Sequence, residues 1–192
     1  MRYELTMFRM DFDNQIIPAN SNSEFQVTNG GKTFHQGLEG GLGVDVGAGF
    51  SIDASFTYVP DAEFDGDRFD RDGTLTTPDG NWIPYTPEWI ANVGLTYTKG
   101  DFRGALNVHH TGAQYTDVLN TRGIAENLTG FFTGCIDGYT LLDLSLIYDV
   151  NDQLNVAVTL KNATDERYIA SLRQGIYVGP ERSVDVALRY RF

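Results

Sequence analysis

The sequence predicts an all-β chain, a segment of a transmembrane antiparallel β-barrel with about eight strands. Three observations lead to this fold class. Apolar and polar residues alternate with a period of two in about eight segments, as in strands with one apolar face. Most of these segments run for about ten residues, the length that a tilted strand needs to cross a bilayer. The connections between them alternate between short turns and long polar links.

The segment 182–192 shows the alternation most clearly. Its apolar side chains, which share one face, are Val184, Val186, Leu188, Tyr190 and Phe192. Polar residues and arginines alternate with them on the other face. A barrel wall in a bilayer has this pattern, with apolar residues facing lipid, polar residues facing the lumen and aromatic residues at the interface.

The same alternation places the other strands along the chain. We predict strands over 3–17, 32–46, 50–59, 88–98, 101–115, 139–150, 153–160 and 182–192. In the first strand the apolar phase changes between Leu5 and Phe8, so we expect a β-bulge near Thr6–Met7. The glycines of the second strand, at 37, 40, 41 and 43, are expected to relieve crowding inside a curved sheet.

The lengths of the connections indicate how the hairpins are arranged. Short turns are predicted at 47–49, 99–100 and 151–152, and long links at 18–31, 60–87, 116–138 and 161–181. Antiparallel hairpins place successive connections at opposite ends of the strands, so the short turns share one rim and the long loops share the other. Outer-membrane barrels have this asymmetry.

Composition excludes several classes of function. The net charge of −12 argues against a nucleic-acid partner, which needs clustered Lys and Arg. No apolar run of about 18 residues occurs, so no transmembrane helix is predicted. The lone Cys135 has no partner for an internal disulfide. No signal-peptide pattern precedes the first strand, so we expect either a cytoplasmic protein or a mature or truncated part of a longer chain.

Candidate catalytic and metal sites are weak. No Ser lies in a Gly-x-Ser-x-Gly elbow, so no enzyme is expected. In the acidic stretch 61–79, an EF-hand alignment uses Asp70, Asp72 and Asp79 but puts Arg68 at the first ligand position, so a solvated acidic loop is favoured over a calcium site. The neighbouring His109 and His110 should face opposite sides of a strand and cannot chelate one metal together; we expect no metal site and no cofactor.

Several stretches, in the same order, resemble the C-terminal part of TonB-dependent outer-membrane receptors. Residues 160–168, Leu-Lys-Asn-Ala-Thr-Asp-Glu-Arg-Tyr, resemble the Asn-Leu-x-Asp-x-x-Tyr box that precedes the last strands of that family. Gly-Pro-Glu-Arg at 179–182 and the strand to Phe192 resemble its ending. The stretches 8–16, 83–97 and 139–144 are similar to other strand entries, and 174–180 looks most like the ferric-citrate type.

The resemblance implies a function and a set of partners. Residues 1–192 would be the C-terminal fragment of the receptor barrel, without its plug domain. The complete protein would take up a ferric siderophore or ferric citrate across the outer membrane, coupled to TonB through the plug. Outer-membrane lipid and lipopolysaccharide would surround the wall, and the barrel assembly machinery would recognise the chain through Phe192.

Rim residues are the candidate ligand site. A ferric chelate is compact and usually anionic, and Arg offers fixed-charge, bidentate donors for such a ligand. The long-loop rim is predicted to hold Arg173, Gln174 and Arg122, with Tyr115 lining the mouth. The competing interpretation is that these arginines pair with nearby acids or bridge lipopolysaccharide phosphates.

Two other functions fit the same fold. A small eight-stranded outer-membrane barrel could serve as a structural anchor or adhesin. An outer-membrane esterase or protease barrel is the third alternative, and it lacks a recognisable nucleophile constellation in this sequence.

Overall fold

Strands form all of the regular structure of the described residues. The structure, a computed structural model, describes residues 1–18, 27–29, 31–69, 73, 75–126 and 130–192. Its strands in chain order are β1 (Arg2–Phe12), β2 (Ile16–Pro18), β3 (Val27–Asn29), β4 (Lys32–Gly47), β5 (Phe50–Asp65), β6 (Arg68–Phe69), β7 (Leu75–Thr77), β8 (Trp89–Lys99), β9 (Phe102–Thr111), β10 (Gln114–Tyr115), β11 (Ala125–Glu126), β12 (Phe132–Thr133), β13 (Cys135–Ile136), β14 (Tyr139–Asp149), β15 (Leu154–Lys161), β16 (Ile169–Leu172), β17 (Ile176–Val178) and β18 (Ser183–Tyr190). Among the described residues, no helix is long and apolar enough to span a membrane.

Eight long strands form one antiparallel sheet in the order β1-β4-β5-β8-β9-β14-β15-β18. Each strand pairs with the next long strand along the chain, as in an up-and-down barrel wall. In the described part of the chain, β1 and β18 are the open edges of this sheet. The predicted fold class, an antiparallel barrel segment of about eight strands, is confirmed.

The two rims differ as the connection lengths predict. Tight turns join β4 to β5, β8 to β9 and β14 to β15 at one rim. At the first turn, Ala48 and both flanking glycines have positive φ, and a Cβ on Gly49 would lie 2.1 Å from the Thr98 carbonyl oxygen. The opposite rim carries four long connections, 13–31, 66–88, 112–138 and 162–182, which we call the first to fourth rim loops. All the short strands lie within these rim loops, either in the loop itself or as extensions of a hairpin.

The outer face of the sheet is apolar and uncovered. Val186 is 65% exposed and Leu188 is 72% exposed. Leu144 and Val156, on the same face, are half-buried by neighbouring side chains. The wall is a single sheet, so these residues face lipid as the alternation predicts.

Two rows of aromatic side chains border the apolar face. Near the short turns, Phe50 and Tyr97 have ring centroids 4.4 Å apart, and near the rim loops Tyr58 stacks on Trp89 at 4.2 Å. From Phe50 to Tyr58 a strand advances about 26 Å, which a tilt of about 40° reduces to about 20 Å. This separation is close to the apolar band of about 25 Å in outer-membrane barrels.

The inner face is polar and carries ion pairs and hydrogen bonds between neighbouring strands. Arg2 pairs with Asp53 at 2.7 Å, and Lys161 pairs with Asp185 at 3.1 Å. The His109 Nδ1 lies 2.6 Å from the Asn92 Oδ1, while His110 lies on the outer face beside Thr140. The expectation that the two histidines face opposite sides is therefore confirmed.

The predicted bulge in β1 is wrong. Residues 2–12 pair with 33–43 without a shift in register, so β1 has apolar residues on both faces. Tyr3, Leu5 and Met7 face outward, whereas Phe8 packs inward against the apolar cluster under the rim loops. The change of apolar phase therefore marks where the rim loops cover the inner wall. The register shifts lie instead where β4 pairs with β5, between Gln36 and Leu38 and between Asp45 and Gly47.

Other boundaries also differ from the expectation, and β9 ends at Thr111 rather than at 115. β1 ends at Phe12 rather than at 17, and β5 continues to Asp65, so the first acidic residues after Pro60 belong to a strand rather than to a loop. The predicted role of the glycines in β4 is confirmed at Gly40, where a Cβ atom would lie 2.4 Å from the Phe56 ring. The ring lies over the glycine and fills the space that a side chain would need.

Candidate ligand-binding rim

An apolar cluster fastens the second and third rim loops to the inner wall. Its buried members are Val59, Ala62, Phe64, Ile83 and Val118, with Phe8 and Trp82 packed against them. Ile83 and Val118 come from two different rim loops, and the other buried members come from β5. This part of the rim therefore has a core of its own on the lumenal side of the sheet.

Backbone hydrogen bonds hold the second rim loop along the extension of β5. The Phe64 amide donates to the Asn81 carbonyl at 3.0 Å, and the Ile83 amide donates to the Ala62 carbonyl at 2.8 Å. The Trp82 indole Nε1 donates to the Thr86 carbonyl at 2.6 Å. The loop is thus paired almost like an added strand, which fixes the residues that follow it.

A reciprocal amide pair joins the second rim loop to the third. The Trp82 amide donates to the Asn120 Oδ1 at 2.7 Å, and the Asn120 Nδ2 donates to the Trp82 carbonyl at 2.8 Å. Asp117, 6% exposed, accepts the Leu119 amide at 2.9 Å and the Thr121 hydroxyl at 3.1 Å. These bonds form a tight turn immediately before Arg122.

Asn162 organises the fourth rim loop. Its side chain is buried and its backbone has φ +48°. The Nδ2 donates to the Glu166 carbonyl at 2.9 Å and the Pro180 carbonyl at 3.1 Å, and the Oδ1 accepts the Glu166 amide at 2.8 Å. The Asn162 amide in turn donates to the Asp143 Oδ1 at 2.8 Å. One side chain therefore closes both ends of the loop onto the sheet.

Tyr168 completes the base of that loop. Its ring stacks on Tyr139 with centroids 4.1 Å apart. Gly179 lies against the same ring, where a Cβ atom would be 1.9 Å from the Tyr168 Cζ. Burial raises the pKa of the Tyr168 hydroxyl, and the nearby Tyr139 and Asp143 raise it further.

The predicted ligand-binding residues gather around the short segment 132–135. Tyr115 pairs with Cys135 in the β10–β13 hairpin. The Cys135 amide donates to the Arg122 carbonyl at 3.4 Å, and the Phe132 amide donates to the Arg173 carbonyl at 2.7 Å. The structure thus brings Tyr115 and Arg122 of the third rim loop close to Arg173 of the fourth, and Gln174 follows at the tip of the β16–β17 hairpin.

The arginines of this group have no ion-pair partner in the described part of the rim. Arg122, Arg173 and Gln174 are exposed, and Tyr115 is half-buried. No ion pair within the described ranges involves Arg122 or Arg173. The group could therefore bind an anionic or oxygen-rich ligand through guanidinium and amide donors.

Cys135 lies beside this group. Burial raises the pKa of its thiol, Asp137 raises it further, and the positive charge of Arg122 opposes both effects. A thiol of this kind is mainly protonated at neutral pH and is a poor nucleophile.

The acidic stretch has a structural role in its described part. Asp79 accepts the Gly66 amide at 2.7 Å, and the Asp67 carboxylate accepts the Asp79 amide at 2.8 Å, which closes the β6–β7 hairpin. Two candidate ligands of the calcium site considered from the sequence, Asp70 and Asp72, lie outside the described residues. Among the residues that are described, no three His, Cys, Asp or Glu side chains are close enough to hold a metal ion.

Sequence reasoning missed three rim residues. Asn120 and Tyr85 have no motif that predicts their inter-loop contacts, because the partners are set by how separate loops pack. Asn162 lay within the recognised box at 160–168, and that motif was the available signal for a structural role.

Comparison with protein families decides the classification. The family model described as TonB dependent receptor-like, beta-barrel, matches residues 1–163 of the 192. The chain belongs to the TonB-dependent receptor β-barrel family. Such receptors are barrels of the Gram-negative outer membrane, so the apolar outer face of this TonB-dependent receptor chain lies in that membrane.

Curated relatives are receptors of the same family. The probable TonB-dependent siderophore receptor PiuA of Acinetobacter baumannii is 22% identical over an alignment that covers 97% of this chain and 24% of that receptor. The catecholate siderophore receptor Fiu of Escherichia coli K12 is 24% identical over 171 residues, 89% of this chain and 20% of that receptor. The chain thus spans about a quarter or less of the length of these relatives.

Solved structures of such receptors share the fold. The ferric citrate transporter FecA in its unliganded form superposes with a TM-score of 0.76 at 27% identity, covering 99% of this chain and 29% of that one. The siderophore receptor PiuA from Acinetobacter baumannii superposes with a TM-score of 0.72 at 23% identity, covering 98% of this chain and 26% of that one. The resemblance in sequence to TonB-dependent receptors is therefore confirmed.

Proposed function

We propose that the chain forms part of the wall and of the ligand-binding rim of an outer-membrane receptor that takes up a ferric chelate, a siderophore or ferric citrate. In this proposal residues 1–192 are the C-terminal part of the receptor barrel, and a plug domain carried elsewhere in the receptor couples transport to TonB. The relatives named as siderophore receptors and the ferric citrate transporter support the class of ligand.

The open edges of the sheet support the assignment to a larger barrel. In a bilayer each unpaired backbone group costs several kcal/mol. β1 and β18 pair on one side only within the described residues, so each edge requires another strand. The rest of a receptor barrel would supply those strands and close the wall.

One observation carries the choice of binding group. The backbone carbonyls of Arg122 and Arg173 meet the segment 132–135, and Gln174 directly follows Arg173. Neither guanidinium group forms an ion pair among the described residues. Unpaired guanidinium groups beside an amide side chain suit the carboxylate, catecholate or hydroxamate oxygens of a ferric chelate.

Uptake of radioactive iron tests the proposal. The complete product of the gene is expressed in an Escherichia coli strain that lacks its own ferric-chelate receptors, and uptake is measured with iron-loaded citrate, catecholate and hydroxamate chelators. We expect TonB-dependent uptake of one chelate class. Arg122→Ala and Arg173→Ala should each, as single substitutions, reduce its affinity by about 10–100-fold, since each charged hydrogen bond contributes about 1.5–3 kcal/mol.

Arg2→Ala is the matched control, because this lumenal arginine pairs with Asp53 near the short-turn rim, far from the rim loops. Uptake in the control should stay within about twofold of the unaltered receptor. Absence of uptake and of binding for every ferric chelate would refute the proposed function.

A further inference from the structure

Consecutive carbonyl groups of the fourth rim loop are held by two different loops. The Leu172 carbonyl accepts the hydroxyl of Tyr85 from the second rim loop. The next carbonyl, of Arg173, accepts the Phe132 amide from the third rim loop at 2.7 Å. The Leu172 side chain is only 1% exposed, so this junction is buried on one side.

Tyr85 also reaches the third rim loop through its backbone. Its amide donates to the Tyr115 carbonyl at 2.8 Å. Tyr85 therefore contacts both of the other loops that contribute to the proposed binding group. Its φ of +57° lies in the left-handed region, which residues with a side chain adopt only when their surroundings stabilise it.

The tip of the fourth rim loop is otherwise held by a hydrogen bond within the loop itself. The Arg173 amide donates to the Gly175 carbonyl at 3.0 Å, which closes a tight turn that contains Gln174. Gln174 itself is exposed. The position of this turn relative to Arg122 thus depends on the two carbonyl contacts of the junction.

We propose that Tyr85 is a positioning residue of the ligand-binding rim, whose hydroxyl fastens the turn bearing Arg173 and Gln174 at a fixed place beside Arg122. This inference rests on the proposed function for its ligand, but the fastening itself is a property of the rim without ligand. The second, third and fourth rim loops then present a preformed donor set, and the ligand does not have to order that turn on binding.

Hydrogen–deuterium exchange tests the fastening without any ligand. The complete gene product is compared with Tyr85→Phe, which keeps the ring and removes only the hydroxyl. Tyr177→Phe is the matched control, because Tyr177 lies in the same hairpin, is 51% exposed and forms no side-chain hydrogen bond with any described residue. Heat-modifiable migration on gels confirms that both variants form the barrel.

Peptides covering 169–178 and 130–136 should exchange about 3–10-fold faster in Tyr85→Phe, which is the effect of losing one ordinary hydrogen bond. Their exchange rates should be unchanged in Tyr177→Phe. Equal exchange in Tyr85→Phe and the unaltered protein would overturn the inference. This readout decides the role of Tyr85 in the rim even if no ferric chelate is bound.

A double-mutant cycle tests the consequence for binding. Tyr85→Phe should raise the Kd of the ferric chelate about 3–10-fold when Arg173 is present and have little further effect in the Arg173→Ala background. The same loss of affinity in both backgrounds would mean that Tyr85 acts elsewhere and would overturn its positioning role. Failure of the unaltered protein to bind any chelate would refute the proposed function alone, because the exchange experiment stands apart from it.

Discussion

Replacing Asn162 with Ala should open the fourth rim loop. The substitution removes three side-chain hydrogen bonds, those to the Glu166 carbonyl, the Pro180 carbonyl and the Glu166 amide. At about 0.5–1.5 kcal/mol each, they contribute roughly 1.5–4.5 kcal/mol. Ala at φ +48° adds roughly 1 kcal/mol of backbone strain. We therefore expect a loss of about 3–5 kcal/mol in the free energy of unfolding.

Asn162→Gly separates the two contributions. Glycine loses the same hydrogen bonds but adopts positive φ without strain, so it should cost about 1 kcal/mol less than Ala. Asn107→Ala is the matched control, since this exposed asparagine of the lumenal wall has no side-chain hydrogen bond among the described residues. Its effect should stay within about 0.5 kcal/mol.

The measurement is guanidinium-induced unfolding of the complete gene product in lipid vesicles, followed by tryptophan fluorescence. Free energies are extrapolated linearly from the transition, so the midpoints and slopes of all variants are compared together. A loss below about 1 kcal/mol for Asn162→Ala would show that the buried hydrogen bonds do not hold the loop. A Gly variant less stable than the Ala variant would contradict the role given to the positive φ.

Three further substitutions or measurements test other parts of the molecule. Gly179→Ala should cost about 1–3 kcal/mol of stability because its Cβ would overlap the Tyr168 ring, and it should cost little in a Tyr168→Ala background; equal costs in both backgrounds would exclude the clash. Val184→Arg, on the lipid-facing side, should destabilise the barrel by about 2–4 kcal/mol and lumenal Ala187→Arg by less than about 1 kcal/mol, and the reverse order would invert the two faces of the sheet. Alkylation of Cys135 by iodoacetamide should reach its half-maximal rate at a higher pH in the folded protein than in the unfolded chain, because burial raises the thiol pKa; coincident pH–rate curves would disprove this.

The wall of the barrel was predictable because lipid and lumen impose a strict alternation on each strand. In β18 every large apolar residue lies on one face and every charged residue on the other, so its orientation follows from the sequence alone. The lengths of the connections predicted the two unequal rims, because successive hairpins place their connections at opposite ends of the strands. Both patterns are local in sequence, so they can be recognised without knowing what a strand packs against.

β1 shows where that reasoning fails. Phe8 faces the lumen, which the alternation rule reserves for polar residues, because the rim loops cover this part of the inner wall. The rule assumed an open lumen along the full strand and therefore required a bulge. The apolar residues of the rim loops, such as Ile83 and Val118, were the signal that something would cover that wall.

The candidate site was predictable in residue type and rim, but not in geometry. Loop length placed Arg122 and Arg173 at the same rim, and the structure brings their backbones to one short segment. The contacts that achieve this, through Tyr85 and Phe132, join residues distant in sequence and follow no periodic pattern. Which ligand the side chains select stays a prediction.

The three joined loops also bear on how receptors of this kind change their specificity. Tyr85, Asn120 and Phe132 each complete a contact whose other half belongs to a different loop. Transplanting one of these loops alone into a related barrel would leave its partners without matching surfaces. The second, third and fourth rim loops should therefore be inherited, and engineered, as one exchangeable cassette.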